Sequence, residues 1–424
     1  MQTNMVRQPI LNRSKEVVGY EILYQDDSSS IYNQMDTQAA NVIEDFLLQL
    51  DSEKFLDGKI AYLTFTPNLL LKNIPKMFES SKLVIQIEDS SIIHPLAQRV
   101  IYRYKKQGYR VALKGFEFAP RFFQLMDVVD IIKIDFTKYH ETSLDNVVAV
   151  AKSFGKDLVA YHVDSQEAYK RAWDLGIKDM QGSAVAQALS SNVHRMDHMQ
   201  SNFFHLVVAI TKDEPDIDEI AQIVSRDVTL AFSLIKMVNS AYFALKNRAT
   251  SVKQALIILG LGQLKQWVYL LSFKNDDSTM PSELIRISFL RANFCAELCQ
   301  CAQDMPIAKS EAYLMGMFST LGTLMEVPLE KALSELPVSE EIKVALLSGS
   351  GRCGILYKLV LSYENADWNG VSGYAQQLSV PTNIISQKYF ECVEYVNNIW
   401  HELTEAYSEE GGEDDERDTQ DATL

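Results

Sequence analysis

Two short stretches of the chain place polar side chains at the ends of apolar runs, where they could meet in one site. The first is Ala112-Leu113-Lys114-Gly115-Phe116 and the second is Ile132-Lys133-Ile134-Asp135. A divalent cation requires hard, anionic oxygen ligands, whereas a lysine ammonium has three hydrogen-bond donors and no lone pair. Lys114 and Lys133 therefore bear directly on whether such a site could hold metal ions.

The elements that would position these residues alternate along the first half of the chain. Amphipathic stretches such as 39–50, 96–107 and 165–175 predict helices, and apolar runs between them predict buried parallel strands. Gly108 and Gly176 stand where a helix should end before the next strand. Strand–helix alternation over about 190 residues predicts a parallel α/β fold, with a barrel and an open sheet as the two candidates. The predicted strands are 60–65, 83–87, 110–113, 131–134 and 157–160.

Helical periodicity replaces the strand pattern after about residue 199. Apolar stripes at helical spacing occupy 203–210, 217–224 and 230–238. The sequence therefore predicts a second, all-helical domain. Between the two halves, the polar stretch 190–200 is interpreted as a linker. It contains His194 and His198, which we expect to face solvent rather than to bind metal.

Composition and charge restrict the class of protein. The net charge is −16, and the segment 404–424 has nine acidic residues against Arg417, a net charge of −8. We predict a disordered acidic tail there, with docking to a basic partner as the alternative. The acidic balance argues against nucleic-acid binding. Apolar runs are too short for a membrane span and no signal peptide is apparent, so we expect a cytoplasmic protein with reduced, mostly buried cysteines.

The order of the motifs in the first half resembles the EAL domain family, whose members are cyclic-di-GMP phosphodiesterases built on a (β/α)8-type barrel. Active members hold two divalent metals, Mg²⁺ or Mn²⁺, at the C-terminal ends of the strands. The resemblance rests on the segments 7–10, 19–23, 62–67, 83–90, 108–116, 133–135, 159–165 and 181–182.

Carried over position by position, the resemblance implies a degenerate site. The residues that match the family are Glu21, Lys133, Asp135 and Gln181. Those that replace metal-binding residues are Thr64, Gln86, Lys114, Gly115 and Tyr161. Asp89 and Asp164 fall at the second glutamates of their motifs, and Gln25 stands where the family has an arginine that grips a ligand phosphate. A slip in the alignment would restore Glu88 in place of Gln86, but no acidic pair lies near Lys114.

These replacements remove four negative charges and add a positive one, so we expect neither metal binding nor catalysis. We expect Glu21, Lys133 and Asp135 to persist as ion pairs at the barrel end rather than to bind a nucleotide. Binding of cyclic-di-GMP without hydrolysis is the alternative, in which Lys114 neutralises a phosphate in place of a metal. Against this alternative, Gln25 cannot supply a bidentate charged grip.

The segments 234–243, 251–256 and 258–262 resemble the HDOD family, a helical relative of the metal-dependent HD phosphohydrolases that lacks their catalytic ligands. We expect Asn239 to close one helix and Gly260 to allow a tight turn between helices. Ser319 and Thr320 occupy the places of the metal-binding His-Asp pair, and neither hydroxyl is a good ligand for a catalytic dication. His205 and His401 are isolated. The resemblance implies a protein-interaction module.

The sequence thus predicts a degenerate EAL-like domain over 1–190, a linker over 191–200, an HDOD-like helical domain over 201–403 and a disordered tail over 404–424. We expect a non-catalytic bacterial signalling adaptor that works through protein contacts of the helical domain or the barrel surface, in control of motility, attachment or biofilm. The alternatives are a cyclic-di-GMP receptor and, third, an active phosphodiesterase.

Overall fold

The computed structural model describes most of the chain, in segments separated by short gaps. The described ranges are 4–14, 16–24, 52–92, 94–117, 119–123, 125–138, 141–188, 198–212, 214–226, 231, 234–235, 237–239, 249–271, 282–324, 327–334, 336 and 338–415. The predicted helix 39–50, Gln25 and His194 lie outside the described residues.

Eight strands form a closed barrel in the sequence order β1 to β8. Strand β1 runs antiparallel to both of its neighbours, β2 and β8, and the remaining pairs are parallel. The barrel prediction is therefore confirmed, and the open sheet is excluded. The strands are β1 Met5–Asn12, β2 Val17–Tyr24, β3 Ile60–Thr64, β4 Leu83–Ile87, β5 Arg110–Lys114, β6 Ile131–Asp135, β7 Asp157–Tyr161 and β8 Asp179–Met180.

The interior of the barrel is filled by one apolar layer. Its members are Ile10, Tyr62, Val84, Ala112, Ile131 and Val159. Gly19 leaves room for the Tyr62 ring, because a Cβ atom at that position would lie 2.7 Å from a ring carbon. Side chains along a strand alternate between its two faces, so the residue two positions further along each strand also points into the barrel. That rule determines which side chains form the next layer.

Helices follow most of the strands. Helix α4 matches the predicted helix 96–107, and it begins after His94, whose Nδ1 accepts a hydrogen bond from the Ala97 amide at 3.3 Å. Gly108 and Gly176 have φ angles of +93° and +71°, as expected of residues that end helices. The helices are α1 Ser52–Leu56, α2 Pro67–Leu71, α3 Asp89–Ile92, α4 Pro95–Lys106, α5 Pro120–Phe123, α6 Glu141–Ser153, α7 Gln166–Asp174 and α8 Ser183–Ala188, with a 3-10 turn at Ile74–Met77.

The described residues of the second half form helices, as the periodicity predicts. Asn239 ends a helical stretch, and its side chain exchanges two hydrogen bonds with the backbone of Ala249, at 2.9 and 2.8 Å. Gly260 has a φ of +73° and breaks α11, which confirms the expected turn. The helices are α9 His198–Thr211, α10 Ile217–Ser225, α11 Val252–Leu271, α12 Ser282–Cys301, α13 Lys309–Phe318, α14 Leu321–Leu324, α15 Leu329–Ser334, α16 Glu340–Ser348, α17 Gly351–Glu364, α18 Trp368–Leu378 and α19 Thr382–Asp415.

The cysteines of the helical half behave as core residues. Cys295 and Cys299 share the buried face of α12, whereas Cys301 is half-buried. Cys353 and Cys392 are also buried, and burial raises the pKa of the Cys353 thiol to about 11. The Cys353 thiol is therefore a poor nucleophile at neutral pH. Four of the five cysteines are thus buried, which agrees with the prediction of mostly buried thiols.

The chain divides into two compact units, and the division departs from the predicted boundaries at one end. The first unit contains Met1–Leu189 together with Leu361–Gly373 and Pro381–Gln387, and the second contains Ser190–Val360, Tyr374–Val380 and Lys388–Leu424. Two short segments of the predicted helical domain thus group with the barrel.

In the described part of the chain no single helix is long and apolar enough to cross a membrane, although the bent pair α16 and α17 would be long and apolar enough if taken together.

The C-terminal helix is longer than predicted. Its backbone is helical as far as Asp415, whereas the sequence analysis predicts a disordered tail from Thr404. Extension of an existing helix avoids the cost of nucleation, and glutamate is a good helix former, so the acidic composition does not end the helix. At the other boundary, α9 begins at His198, inside the predicted linker 191–200. Residues 416–424 lie outside the described part.

Candidate functional site

A layer of polar side chains lies above the apolar layer, at the C-terminal ends of the parallel strands. On the parallel strands its residues follow the apolar ones by two positions, as Gln86 follows Val84 and Lys133 follows Ile131, and on the antiparallel β1 Gln8 precedes Ile10 by two. The alternation of the strands therefore turns both sets inwards. Strand register sets Thr64 beside Gln86 and Lys114 beside Lys133. We call this set the polar layer: Gln8, Glu21, Thr64, Gln86, Lys114, Lys133, Tyr161 and Gln181.

Glu21 is the centre of the polar layer. Its Oε2 accepts a hydrogen bond from Lys133 Nζ at 2.8 Å. Its Oε1 lies 2.9 Å from Lys114 Nζ and accepts a hydrogen bond from Gln86 Nε2, also at 2.9 Å. Glu21 and Lys133 are buried, and the Lys114 side chain is 17% exposed. The expected ion pair at the barrel end is therefore confirmed for Glu21 and Lys133, and Lys114 joins it.

The charges of this triad determine its protonation. Burial alone would raise the pKa of Glu21, but the ammonium groups of Lys133 and Lys114 outweigh it and hold that pKa well below its usual range. Burial lowers the pKa of Lys133, yet its donors face two oxygen acceptors, the arrangement that suits the ammonium form. The pKa of Lys114 is raised, because its contact with Glu21 outweighs its burial. Glu21 is thus an ionised carboxylate between two cations.

A chain of hydrogen bonds leads from this triad to a distant segment of the same unit. Lys133 Nζ donates to Gln181 Oε1 at 3.0 Å, and Gln181 Nε2 donates to Gln8 Oε1 at 3.0 Å. Gln8 Nε2 then donates to the carbonyl oxygen of Glu364, also at 3.0 Å. The role of Gln8 was missed by the sequence analysis, since nothing in its neighbourhood along the chain indicates which residues it contacts.

A second group of contacts surrounds Asp135 at the end of β6. Its Oδ1 accepts hydrogen bonds from the Thr137 hydroxyl at 2.7 Å and the Thr137 amide at 3.0 Å, and lies 3.0 Å from His162 Nδ1. Burial would raise the pKa of Asp135, but these hydrogen bonds outweigh it and lower that pKa. The hydrogen bond to Asp135 in turn raises the pKa of His162. His162 was also missed by the sequence analysis, and its φ of +56° is unusual for a residue with a side chain.

Tyr161 lies at the end of β7. Its ring lies 5.5 Å from Lys133 Nζ and 5.7 Å from Lys114 Nζ, measured to the centroid. Burial, together with the neighbouring Asp135 carboxylate, raises the pKa of the phenol, so the hydroxyl stays neutral. A neutral phenol therefore faces the two lysines.

The remaining predicted residues lie around the rim. Gly115 has a φ of +71°, and a Cβ atom there would lie 3.6 Å from the Tyr161 hydroxyl. Glu88 is half exposed and lies 3.7 Å from Lys114 Nζ, so Gln86 and not Glu88 is the residue beside Glu21. Asp164 accepts hydrogen bonds from the amide and hydroxyl of Ser183, at 2.8 and 3.0 Å, which places it outside the polar layer. The backbone of Asp89 lies in α3, and its side chain is outside the described set.

The donor set of the polar layer does not suit a pair of divalent cations. Both oxygens of its central carboxylate already accept hydrogen bonds, and two ammonium groups lie within 3 Å of them. Across the described ranges, no group of three or more His, Cys, Asp and Glu side chains is placed to hold a metal ion. The arrangement can neutralise the central carboxylate and can present Lys114 at the rim.

In the helical half, Ser319 and Thr320, which the sequence analysis compares with a metal-binding His-Asp pair, make structural contacts. Thr320 is buried, and its hydroxyl contacts that of Ser288. Ser319 donates to the carbonyl of Gly316 at 2.7 Å and accepts a hydrogen bond from Arg291 at 3.2 Å. These hydroxyls thus connect α12 to the end of α13.

Comparison with known proteins gives the family. The EAL domain model matches residues 28–188, and the HDOD domain model matches residues 197–340. The protein YuxH of Bacillus subtilis (strain 168) is 30% identical over 410 residues, which cover 94% of this chain and 99% of YuxH. The chain belongs to the EAL–HDOD family. Both domain matches fall within the predicted domains 1–190 and 201–403, except that the HDOD match starts four residues earlier.

A second relative carries a functional name. Cyclic di-GMP phosphodiesterase CdgJ of Vibrio cholerae serotype O1 is 25% identical over 405 residues, which cover 94% of this chain and 93% of CdgJ. Among solved structures, the EAL domain of Mycobacterium smegmatis DcpA covers 42% of this chain and 90% of its own, with 16% identity and a TM-score of 0.35. The chain is therefore an EAL–HDOD signalling protein related to a cyclic-di-GMP phosphodiesterase.

Proposed function

We propose that this EAL–HDOD protein is a non-catalytic adaptor in a bacterial cyclic-di-GMP-related pathway, acting through protein contacts. The observation that supports the proposal is that the Glu21 carboxylate is hydrogen-bonded and neutralised by two lysines. Both of its carboxylate oxygens accept hydrogen bonds inside the barrel, and Lys114 and Lys133 supply the positive charge that two metal ions would supply in an active site. A carboxylate that is already neutralised in this way does not recruit a dication.

The loss of charge extends over the whole end of the barrel. Gln86 is buried beside Glu21, and Tyr161 is a neutral phenol beside the two lysines. Activation of a water needs a metal ion or a free general base near the phosphodiester. The only carboxylate in the polar layer is used as an acceptor by three neighbours, so no member of that layer is left to take a proton.

Binding of cyclic-di-GMP without hydrolysis is the second candidate function. The relation to CdgJ, which is named a cyclic di-GMP phosphodiesterase, supports a link to this nucleotide. Lys114 is the one lysine of the triad that reaches solvent, and His162 is 55% exposed on the neighbouring rim. A phosphate would have to compete with Glu21 for the Lys114 ammonium, and this competition favours the adaptor.

The two functions are separated by calorimetric titration of the full chain with cyclic-di-GMP, with and without Mn²⁺, together with a turnover assay. The adaptor predicts no heat of binding at micromolar nucleotide and no linear product. Micromolar binding that disappears in Lys114→Met, and persists in the exposed-site control Lys170→Met, would establish the receptor instead. Metal-dependent linearisation of the nucleotide would refute both non-catalytic functions.

A further inference from the structure

One helix of the barrel unit has an exposed face whose charged residues are all basic. Helix α4, Pro95–Lys106, contains no aspartate or glutamate. Its buried side consists of Ala97, Val100, Ile101 and Tyr104. Successive residues of a helix are 100° apart, so the residues opposite these four fall on one face about 120° wide. That face, called here the basic face, is Leu96, Arg99, Tyr102, Arg103 and Lys106, and all five are exposed.

The cations of the basic face have no acidic partners in the part of the chain that the structure describes. Arg99, Arg103 and Lys106 take part in none of its ion pairs, whereas the adjacent Lys105 is bound to Asp130 at 2.5 Å. Three like charges within two turns repel one another and are stabilised by an opposite charge. The apolar side chains between them are also exposed, Leu96 by 53% and Tyr102 by 39%. A basic surface of this kind is suited to an acidic helical segment.

The same chain contains a segment of that chemistry. The segment 404–424 has a net charge of −8, half of the total of −16. The backbone of α19 is helical to Asp415, and Glu405, Glu409 and Glu413 follow one another at intervals of four residues along it. Three residues at this spacing cover about 12 Å of helix, and Arg99 to Lys106 cover about 10 Å. The two rows of charge are therefore opposite in sign and similar in number and length.

We propose that the basic face of α4 binds the acidic C-terminal segment 404–424 of a second copy of this chain. Each copy supplies one face and one segment, so the contact is heterologous, and it closes into a dimer or a small ring where the geometry allows. A lipid surface is a poorer occupant, because anionic lipids repel a chain of charge −16. The contact is electrostatic in its largest part, and its strength therefore falls as the salt concentration rises.

The test is sedimentation equilibrium of the full chain over a range of concentrations, at about 0.05 M and about 0.5 M salt. We expect self-association at low salt that weakens at least tenfold at high salt. The face variant R99E/R103E/K106E should weaken it by about tenfold or more, because each repulsive pair replaces an attractive one. The control variant K170E/K178E/K331E makes the same change of net charge at exposed lysines outside α4, and it should self-associate like the wild type.

Charge exchange distinguishes a specific contact from a general effect of net charge or misfolding. The tail variant E405K/E409K/E413K should lose self-association like the face variant. The chain that carries both sets of substitutions should regain it, since the two rows are again opposite in sign. A wild-type chain that remains monomeric at every concentration overturns the proposal. Failure of the double set to restore association overturns it as well, provided that its circular dichroism matches the wild type. A third result would also overturn the proposal: the wild-type chain binds phosphatidylserine vesicles, the face variant loses this binding, and the face variant still self-associates like the wild type.

Discussion

Substitution of the buried lysine Lys133 by methionine tests the interpretation of the polar layer most directly. Methionine fills a similar volume without a charge, and it leaves one oxygen of the buried Glu21 carboxylate without its donor at 2.8 Å. The attraction of two unit charges at that distance is about 6 kcal/mol at an effective dielectric constant of 20. Desolvation of the ammonium offsets about half of this, and Lys114 still faces the other oxygen at 2.9 Å. We therefore expect a loss of about 3 kcal/mol in the free energy of unfolding.

The same argument makes a stronger prediction for a pair of substitutions. Glu21→Gln alone leaves two lysines facing each other without a counter-charge, and it should cost about 3–5 kcal/mol. The double variant E21Q/K133M contains neither the buried carboxylate nor its buried cation. Its loss should therefore be well below the sum of the two single losses, with a coupling energy of about 3 kcal/mol.

The assay is urea-induced unfolding at neutral pH, followed by far-UV circular dichroism, with the m values of all variants compared. Lys170→Met, a substitution at an exposed lysine, is the control and should change stability by less than about 0.5 kcal/mol. Losses below about 1 kcal/mol for Lys133→Met, or losses that simply add in the double variant, would show that the triad is not the coupled unit described above.

Three further perturbations have expected outcomes. The hydrogen bond to Asp135 raises the pKa of His162. The pair therefore stabilises the fold fully below about pH 6.5 and loses that contribution as the pH rises through the higher pKa of the folded state. His162→Gln should remove this pH dependence from the melting temperature measured across about pH 6 to 9. Gly115→Ala should cost about 1 kcal/mol in urea unfolding, because the backbone there has a φ of +71° while the space for a methyl group exists; no loss would contradict this. Asn239→Ala removes two hydrogen bonds to the backbone of Ala249 and should cost about 1–3 kcal/mol, whereas Asn239→Asp should retain one of them; hydrogen exchange at the Ala249 amide distinguishes the two.

Much of the barrel could be predicted because buried parallel strands consist of continuous runs of apolar residues. The run 83–87 is β4, and the runs 131–134 and 157–160 each miss only the last residue of their strands. The last residues of such strands converge at one end of a closed barrel, so the side chains of Lys114 and Lys133 could be expected in one site. The ion pair of Lys133 with Glu21 is instead what the resemblance to the EAL family implies, because the resemblance assigns both residues to the same barrel end.

The contacts of Gln8 could not be predicted, for a physical reason. Gln181 and Glu364 are 173 and 356 residues away from it in sequence. The first contact depends on how the first strand closes against the last, and the second depends on which helical segment groups with the barrel. Neither is encoded by a local pattern of residues. The acidic composition of 404–415 predicts disorder, whereas the backbone there is helical because glutamate is a good helix former and the preceding helix is already nucleated.

The contacts of the first strand determine when the barrel can be completed during synthesis. The carbonyl of Met5 accepts a hydrogen bond from the Tyr363 hydroxyl at 3.0 Å, and Gln8 donates to Glu364. At a translation rate of about 5–20 residues per second, the ribosome needs about 10–40 s to pass from β8 to these residues. Until then the earliest strand to emerge lacks two of its final partners, so a nascent barrel is a natural client for chaperones. A chain cut after residue 190, at the boundary that the domain families indicate, would keep those partners missing permanently.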